Sequence, residues 1–288
     1  MIAHVAEAGE DRGRVVVRLG AFSPASPAAL AAAVHVAQAF QSEIEGLFIE
    51  DPEVFTAAAH PGVQELTAAG SLQPRFSNET ISHDIGHFAV AAQREVADVA
   101  KAAGIAFTAR VVRDTLAGGL TTACSERGPW NIIVFAEPVA SVDRSEEFSA
   151  VIANVWGTTG YVVAGRAAQW RKGPILVAVE DAGRLSGMVR AAHRLAAVWG
   201  DEVMLVVAGA DDIALDWLEA EIRLTLGERS GVTILPRQSD ALAPPQLRAA
   251  MAGLKPRLIL ARHGGLILPV GMAAAALAEV KCPMFIVH

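Results

Sequence analysis

The sequence lacks the features of a membrane-spanning or disulfide-stabilised protein. No apolar run reaches the roughly 18 residues that a bilayer span requires. The N-terminal stretch MIAHVAEAGEDRGR has neither a basic start nor an apolar core, so no signal peptide is expected. Only two cysteines occur, Cys124 and Cys282, and their wide separation predicts small buried side chains rather than a disulfide or a zinc site. We therefore expect a cytoplasmic protein.

Aromatic residues and an excess of positive charge are also missing. Aromatic residues make up 6% of the chain, whereas hydrophobic residues of all kinds make up 52%. We therefore expect hydrophobic cores built mainly from Ala, Val, Leu and Ile, a composition typical of parallel sheets covered by alanine-rich helices. The formal net charge of −7 argues against nucleic acid as a main partner.

Motifs that carry catalysis are absent too. The sequence contains no phosphate-binding Walker loop, no dinucleotide fingerprint and no G-x-S-x-G nucleophile elbow. His83 and His87 lie one helical turn apart, a spacing that can bind metal, but the neighbouring sequence offers no strong further ligands and a solvated helix face is expected. His35 and His193 are interpreted as helix-surface or inter-layer residues. The sequence thus predicts no catalytic residue, no metal site and no resident cofactor.

What the sequence does contain is a strand–helix–strand unit between Gly173 and Gly209. The apolar runs Ile175–Val179 and Val203–Val207 are typical of buried parallel strands. Between them, apolar residues recur in steps of three and four up to Gly200, which is typical of a helix with one buried face. The residues predicted to share that face are Leu185, Met188, Val189, Ala192, Leu195, Ala196 and Trp199.

The same unit occurs near the N-terminus, so the chain is predicted to be a tandem repeat. Strand, helix and strand follow each other from Arg14 to Ile49, and Ala33–Ala37 corresponds to Ala191–Leu195. We expect two tandem open, mostly parallel five-stranded α/β sandwich domains, comprising residues 1–166 and 167–288. The irregular excursion 51–78 in the first domain is interpreted as a lid, a partner-binding loop or a flexible connection.

These residues resemble the universal stress protein family in its tandem two-domain form. The resemblance is carried by ILVAVEDAGRLSGMVRAAHRLA, by EVMLVV and by the ending LPVGMAAAALAEVKCPMFIVH, and it covers nearly the whole chain. It implies the α/β fold shared with adenine-nucleotide α-hydrolases. In the ATP-binding branch of that family, an Asp ends the first strand and a glycine motif of the form G-x2-G-x9-G-[S/T] follows the fourth.

The sequence departs from that motif in both halves. In the first half, Leu19-Gly20-Ala21 supplies no carboxylate and residues 137–144 contain no glycine, so no ATP site is expected. The second half retains more of the pattern, but the spacing between Gly264 and Gly271 is too short to wrap a triphosphate in the family manner. The loop is expected to hold a monophosphate, another small anion or nothing. The candidate ligand-binding residues are Glu180, Arg262, His263, Gly264, Gly265 and Gly271.

The functional prediction is a non-catalytic universal-stress-like protein that acts in stress response or regulation by binding a protein partner or a small ligand. The alternative is ATP or AMP binding through the second domain, possibly with slow hydrolysis. The fifth strands, 160–163 and 284–287, are expected to lie at sheet edges, and exposed edges pair. Members of the family that the chain resembles dimerise through that strand, so the resemblance implies that the two strands pair within the chain as a pseudo-dimer, with a further homodimer possible.

Overall fold

The fold is described from a computed structural model, which covers residues 13–20, 25–60, 65–66, 72–73, 78–126, 130–136, 142–155, 158–209, 211–226, 232–235, 244–271 and 273–287. The strands are β1 Val15–Leu19, β2 Ile44–Glu50, β3 Glu65–Leu66, β4 Leu72–Gln73, β5 Phe107–Arg113, β6 Asn131–Phe135, β7 Thr158–Val163, β8 Ile175–Val179, β9 Val203–Val207, β10 Val232–Ile234, β11 Leu258–Arg262 and β12 Met284–Val287. The helices are α1 Pro27–Phe40, α2 Pro52–Ala58, α3 Asn78–Ala102, α4 Leu116–Ser125, α5 Val142–Asn154, α6 Ala182–Trp199, α7 Asp212–Leu226, α8 Pro244–Gly253 and α9 Ala273–Val280.

Local sequence accounts for the first helix of each half. Ser26 caps α1 by accepting a hydrogen bond from the Ala29 amide, and Pro27 opens the helix without needing an amide donor. Asp181 caps α6 by accepting from the Gly183 amide, and Gly200 ends it in the left-handed conformation at φ 67°. Both helices therefore begin where short-range signals place them, and α6 also ends at such a signal.

Ten strands form one continuous sheet in the order β10-β9-β8-β11-β12-β7-β6-β1-β2-β5. Within each half the pairing is parallel, and the first strand lies between the second and the fourth. The two halves thus share the same strand order, which confirms the predicted pair of mostly parallel five-stranded units. The domain boundary between residues 166 and 167 stays a prediction.

The fifth strands of the two halves join them. β7 and β12 pair antiparallel, with Val163 opposite Met284 and Gly160 opposite Val287. The predicted pairing of the terminal strands within one chain is therefore confirmed. A further homodimer stays a prediction.

Helices cover both faces of this sheet. One apolar layer lies under α1, α3 and α6, and the other lies under α4, α8 and α9. Cys124 and Cys282 are buried in the second layer, as expected. None of the described helices is both long and apolar enough to cross a bilayer.

The excursion between β2 and α3 is only partly described. It contains α2, whose Asp51 cap accepts a hydrogen bond from the Glu53 amide at 2.8 Å, and the short antiparallel pair β3–β4. The remainder of the stretch lies outside the described residues, and its interpretation as a lid, partner loop or flexible connection stays open.

Candidate functional site

Glu180 lies directly after β8, where the family resemblance places a ligand-binding carboxylate. Its carboxylate accepts two backbone hydrogen bonds, from the Leu266 amide to Oε2 at 2.6 Å and from the Ile267 amide to Oε1 at 3.1 Å. The donors belong to the turn that follows β11, which is the neighbour of β8 in the sheet. The predicted site residue is therefore bound to the predicted phosphate loop itself.

The turn after β11 is compact and packs around the Glu180 carboxylate. The Gly264 amide donates to the Leu268 carbonyl at 2.9 Å, and Gly264 adopts φ 76°, a conformation that favours glycine. A Cβ atom at Gly265 would lie 1.9 Å from Glu180 Oε2, so any other residue there would displace the carboxylate from this position. We call the unit formed by Glu180 and residues 263–268 the Glu180 turn.

The electrostatics of the Glu180 turn oppose a second anion. Burial raises the pKa of Glu180, while the amides of Ile267 and Leu266 and the charge of Arg262 act in the opposite direction. The amide donors that would face a phosphate at this sheet edge already hold a carboxylate. A phosphate could reach them only by displacing Glu180.

The other predicted site residues lie around this unit. His263 is partly buried, with its ring 6.4 Å from the ring of Phe148. Gly271 is exposed at φ 76°, two residues before α9 begins. The structure thus brings Glu180, Arg262 and Gly265 together, whereas Gly271 marks a turn at the loop's far end. Whether any of them binds a ligand stays a prediction, and residues 137–141 of the first-half loop lie outside the described residues.

Sequence reasoning missed a cluster between the halves in which His35, Asp201 and Arg257 have buried side chains. We call it the closed corner, and it comprises His35, Trp170, Trp199, Asp201 and Arg257. His35 Nε2 donates to the Leu195 carbonyl at 2.7 Å, and the Trp199 ring stacks nearly parallel to the imidazole. Arg257 binds Asp201 through two hydrogen bonds of 2.6 and 3.2 Å. Trp170, from the connector between the halves, packs edge-on against His35 at 5.2 Å.

The closed corner corrects one sequence prediction and resolves another. Trp199 was expected on the buried face of α6, but it is 52% exposed and reaches across to α1 instead. His35 is fully buried between the helices, whereas the matching His193 is only partly buried. Burial lowers the pKa of His35 to about 4, so the imidazole is neutral at neutral pH.

A second missed feature is a pocket of about 830 Å³ at the other side of the junction, which we call the inter-half pocket. Exposed residues of α6, including Arg184, Arg190 and Arg194, form one wall. The opposite wall contains Phe40 and Trp130 together with Ile132 and Phe285. Its volume is typical of pockets that bind small molecules.

His83 and His87 lie on the exposed side of α3 with their Nε2 atoms 3.2 Å apart. Among the described residues, no group of three or more His, Cys, Asp and Glu side chains could hold a metal ion. The pair is therefore a contact within one helix rather than part of a larger ligand set in the described part of the chain.

Comparison with solved structures decides the fold. A universal stress protein from Archaeoglobus fulgidus matches with a TM-score of 0.59 at 14% identity, over 94% of this chain and 95% of its own. The chain has the universal stress protein fold. Since that match extends over nearly the full length of both chains, the tandem arrangement is shared as well.

The universal stress protein fold does not by itself define a function. A functionally unknown protein from Pseudomonas aeruginosa matches with a TM-score of 0.53 at 14% identity, over 94% of this chain and 92% of its own. The cytoplasmic domain of a prokaryotic cation chloride cotransporter matches with a TM-score of 0.52 at 11% identity, over 96% and 95%. No protein-family profile matches the sequence. No curated protein matches it either. Function must therefore be argued from the sites of this chain.

Proposed function

We propose that this chain is a non-catalytic universal-stress-type protein that acts in stress response or regulation by binding a small ligand or a protein partner. The Glu180 turn carries the proposal. Its two amides bind Glu180 at 2.6 and 3.1 Å, so the loop that would receive a nucleotide phosphate is occupied by the protein's own carboxylate. The expected cytoplasmic location of the protein stays a prediction.

The chemistry of the cysteines supports a non-catalytic role. Burial raises the pKa of both Cys124 and Cys282 to about 12, so each remains a protonated thiol at neutral pH. A protonated thiol is a poor nucleophile and a poor metal ligand. Neither side chain is therefore suited to covalent catalysis.

The competing function is adenine-nucleotide binding at the second half. It is favoured by the two glycines with positive φ, Gly264 and Gly271, which bracket a turn near the carboxyl ends of β8 and β11. A nucleotide there would have to displace Glu180 from Leu266 and Ile267. That displacement would break two hydrogen bonds of a partly buried carboxylate and would cost binding energy.

The experiment is to purify the full chain, denature it and analyse the released small molecules by chromatography and mass spectrometry. The protein is then titrated with ATP and with AMP by calorimetry, and phosphate release from ATP is followed. We expect no stoichiometric nucleotide, no binding heat and no hydrolysis above the buffer blank.

Two glycine variants locate any nucleotide that does bind. Gly264→Leu alters the Glu180 turn, whereas Gly253→Leu, at the end of α8, adds a side chain where a Cβ meets nothing within 4 Å. Because φ at Gly264 is 76°, both variants are first compared by thermal unfolding. Nucleotide bound to the native chain and to Gly253→Leu, but lost from a folded Gly264→Leu, would overturn the proposal in favour of the competing function.

A further inference from the structure

We propose that the inter-half pocket binds a small amphipathic anion, with a carboxylate, sulfonate or phosphate head on an apolar or aromatic body. This inference deepens the proposed function, because it assigns a site and a ligand class to the small-ligand binding proposed above. The pocket lies between α6 of the second half and the amino ends of β1, β6 and β7 of the first. It is separate from the Glu180 turn, whose residues do not line it.

The basic wall supplies the recognition of the head group. Arg184, Arg190 and Arg194 are exposed along α6 and line the pocket, and none of them pairs with a carboxylate of the described residues. By contrast, Arg257 and Arg248 are each bound to a buried or half-buried carboxylate. Guanidinium groups bind carboxylate, sulfonate and phosphate oxygens through paired N–H donors. Three of them on one wall make an anion the matching ligand.

The facing wall supplies the recognition of the body. Trp130 is 62% exposed although its neighbour Ile132 is buried in the sheet, and both line the pocket with Phe40 and Phe285. The guanidinium carbon of Arg194 lies 5.8 Å from the centre of the Phe40 ring, so the basic and aromatic walls meet at that point. An apolar or aromatic body would be buried against these rings while its head group reaches the arginines.

Gly187 makes room between the two walls. It lies in the middle of α6, where glycine is a poor helix former, and a Cβ atom there would meet nothing within 4 Å. A ligand can therefore lie directly against the helix backbone. The same observation makes Gly187 the position at which the pocket can be filled without a clash with the protein.

The test is a fluorescence titration of the full chain with 1-anilinonaphthalene-8-sulfonate, which has an aromatic body and one sulfonate. Its neutral counterpart, N-phenyl-1-naphthylamine, has the same body without the anion. We expect the sulfonate probe to bind at one saturable site at least about tenfold more tightly than the neutral probe, since charge-assisted hydrogen bonds to arginine are lost with the latter.

Matched variants locate the binding. Gly187→Leu fills the pocket, and the control Gly86→Leu adds the same side chain to α3 where a Cβ also meets nothing within 4 Å. The double variant Arg190→Gln/Arg194→Gln removes two charges, and the control Arg223→Gln removes one from α7. We expect about tenfold or greater loss of sulfonate-probe affinity with Gly187→Leu and with the double variant, and no change with the controls. Thermal unfolding checks that every variant is folded.

Equal probe affinity in the native chain and in folded Gly187→Leu would overturn the inference, as would equal affinity for the charged and neutral probes. Displacement of the sulfonate probe by AMP, lost in Gly187→Leu, would support the inference, because AMP carries a phosphate head on an aromatic body. These results are distinct from a failure of the proposed function, which would appear as nucleotide bound at the Glu180 turn and sensitive to Gly264→Leu. A native chain that binds neither probe would overturn the inference and leave a protein partner as the proposed function.

Discussion

The closed corner and the inter-half pocket occupy equivalent places in the two repeats but differ in almost every property. Trp130 precedes the fourth strand of the first half directly, as Arg257 does in the second, and Ser42 and Asp201 each stand two residues before a second strand. In the closed corner the arginine and the aspartate form a buried ion pair. In the pocket, tryptophan and serine occupy those positions and make no such pair.

The helices that face these two places, α1 at the closed corner and α6 at the inter-half pocket, also differ in the size and charge of their side chains. The alignment of Ala33–Ala37 with Ala191–Leu195 makes Ala32 and Val36 the counterparts of Arg190 and Arg194. Ala32 and Val36 are fully buried, while the two arginines are exposed. The same backbone arrangement therefore yields a sealed junction at one place and an open pocket at the other, because a few side chains on each side differ in size and charge.

The largest expected effect comes from breaking the closed corner at its ion pair. Arg257→Met should destabilise the protein by about 3–5 kcal/mol, because it leaves the Asp201 carboxylate, 2% exposed, without its partner. Urea denaturation measures the change. The double variant Arg257→Met/Asp201→Leu should recover most of the loss, and Arg223→Met, at an arginine 71% exposed, should cost less than about 1 kcal/mol. A similar loss in Arg257→Met and Arg223→Met would contradict the assignment of a buried pair.

The histidine of the closed corner should make stability depend on pH. Its imidazole faces the Leu195 carbonyl, Trp170, Trp199, Arg257 and Asp201, and burial lowers its pKa to about 4 from the ordinary 6.5. Since the unfolded chain binds the proton more readily, His35 contributes full stability above pH 6.5 and loses it as the pH falls towards 4, by about 3 kcal/mol.

This pH dependence is measured as the difference in the free energy of unfolding between pH 7 and pH 4.5. His35→Gln has no charge at either pH and should show a smaller difference than the native chain. The control is His193→Gln, at the matching position of α6, which should behave like the native chain. An unchanged pH dependence in His35→Gln would show that other groups cause it.

Trp170 of the closed corner and Trp130 of the inter-half pocket allow a direct comparison of the two places. Trp170→Ala should cost about 2 kcal/mol, since the ring packs against His35 and lies 5.5 Å from the guanidinium carbon of Arg257. Trp130→Ala, at a ring that is 62% exposed, should cost less than about 1 kcal/mol. Chemical denaturation of both variants gives the comparison, and equal losses would mean that the pocket wall is as tightly packed as the closed corner.

The smallest effect concerns the glycine that opens the pocket. Gly187→Ala should stabilise the protein by about 0.5–1 kcal/mol, because alanine is the better helix former and its Cβ meets nothing within 4 Å. The counterpart in α1 is Ala29, which is already buried. Gly200→Ala serves as the contrast and should destabilise by about 1 kcal/mol, since φ there is 67°. Thermal unfolding midpoints measure both changes, and a destabilised Gly187→Ala would mean that the space over α6 is not open.

Much of the architecture was predictable because its signals are short in range. The apolar run Ile175–Val179, the cap at Asp181 and the left-handed stop at Gly200 each act within a few residues, and the repeat supplied each pattern twice. The pairing of the fifth strands, 160–163 and 284–287, was predicted from the family resemblance together with their expected edge positions. The prediction that Trp199 is buried was wrong. Periodicity along α6 gives only the face on which a residue lies, and it carries no information about the His35 ring of α1, on which Trp199 stacks.

The candidate site was predictable only in part. Glu180 was singled out because it stands where the family that the chain resembles has an Asp, but its partners, the amides of Leu266 and Ile267, carry no side-chain signal. The inter-half pocket joins Trp130 with Arg190 and Arg194, and nothing in the local sequence links them.

The sequence by itself determined the strands, the helices and their duplication, because hydrophobic periodicity, capping and glycine stops are local and are read from neighbouring residues. Only the tertiary structure decided that Glu180 binds the turn after β11, that Arg257 and Trp170 pack in the closed corner, and that the equivalent place, the inter-half pocket, stays open. Those outcomes depend on which polar groups come into contact after residues 56 to 160 positions apart are brought together. The free energy of each contact is set by the burial and the charge of the groups that form it, not by the sequence pattern around each of them.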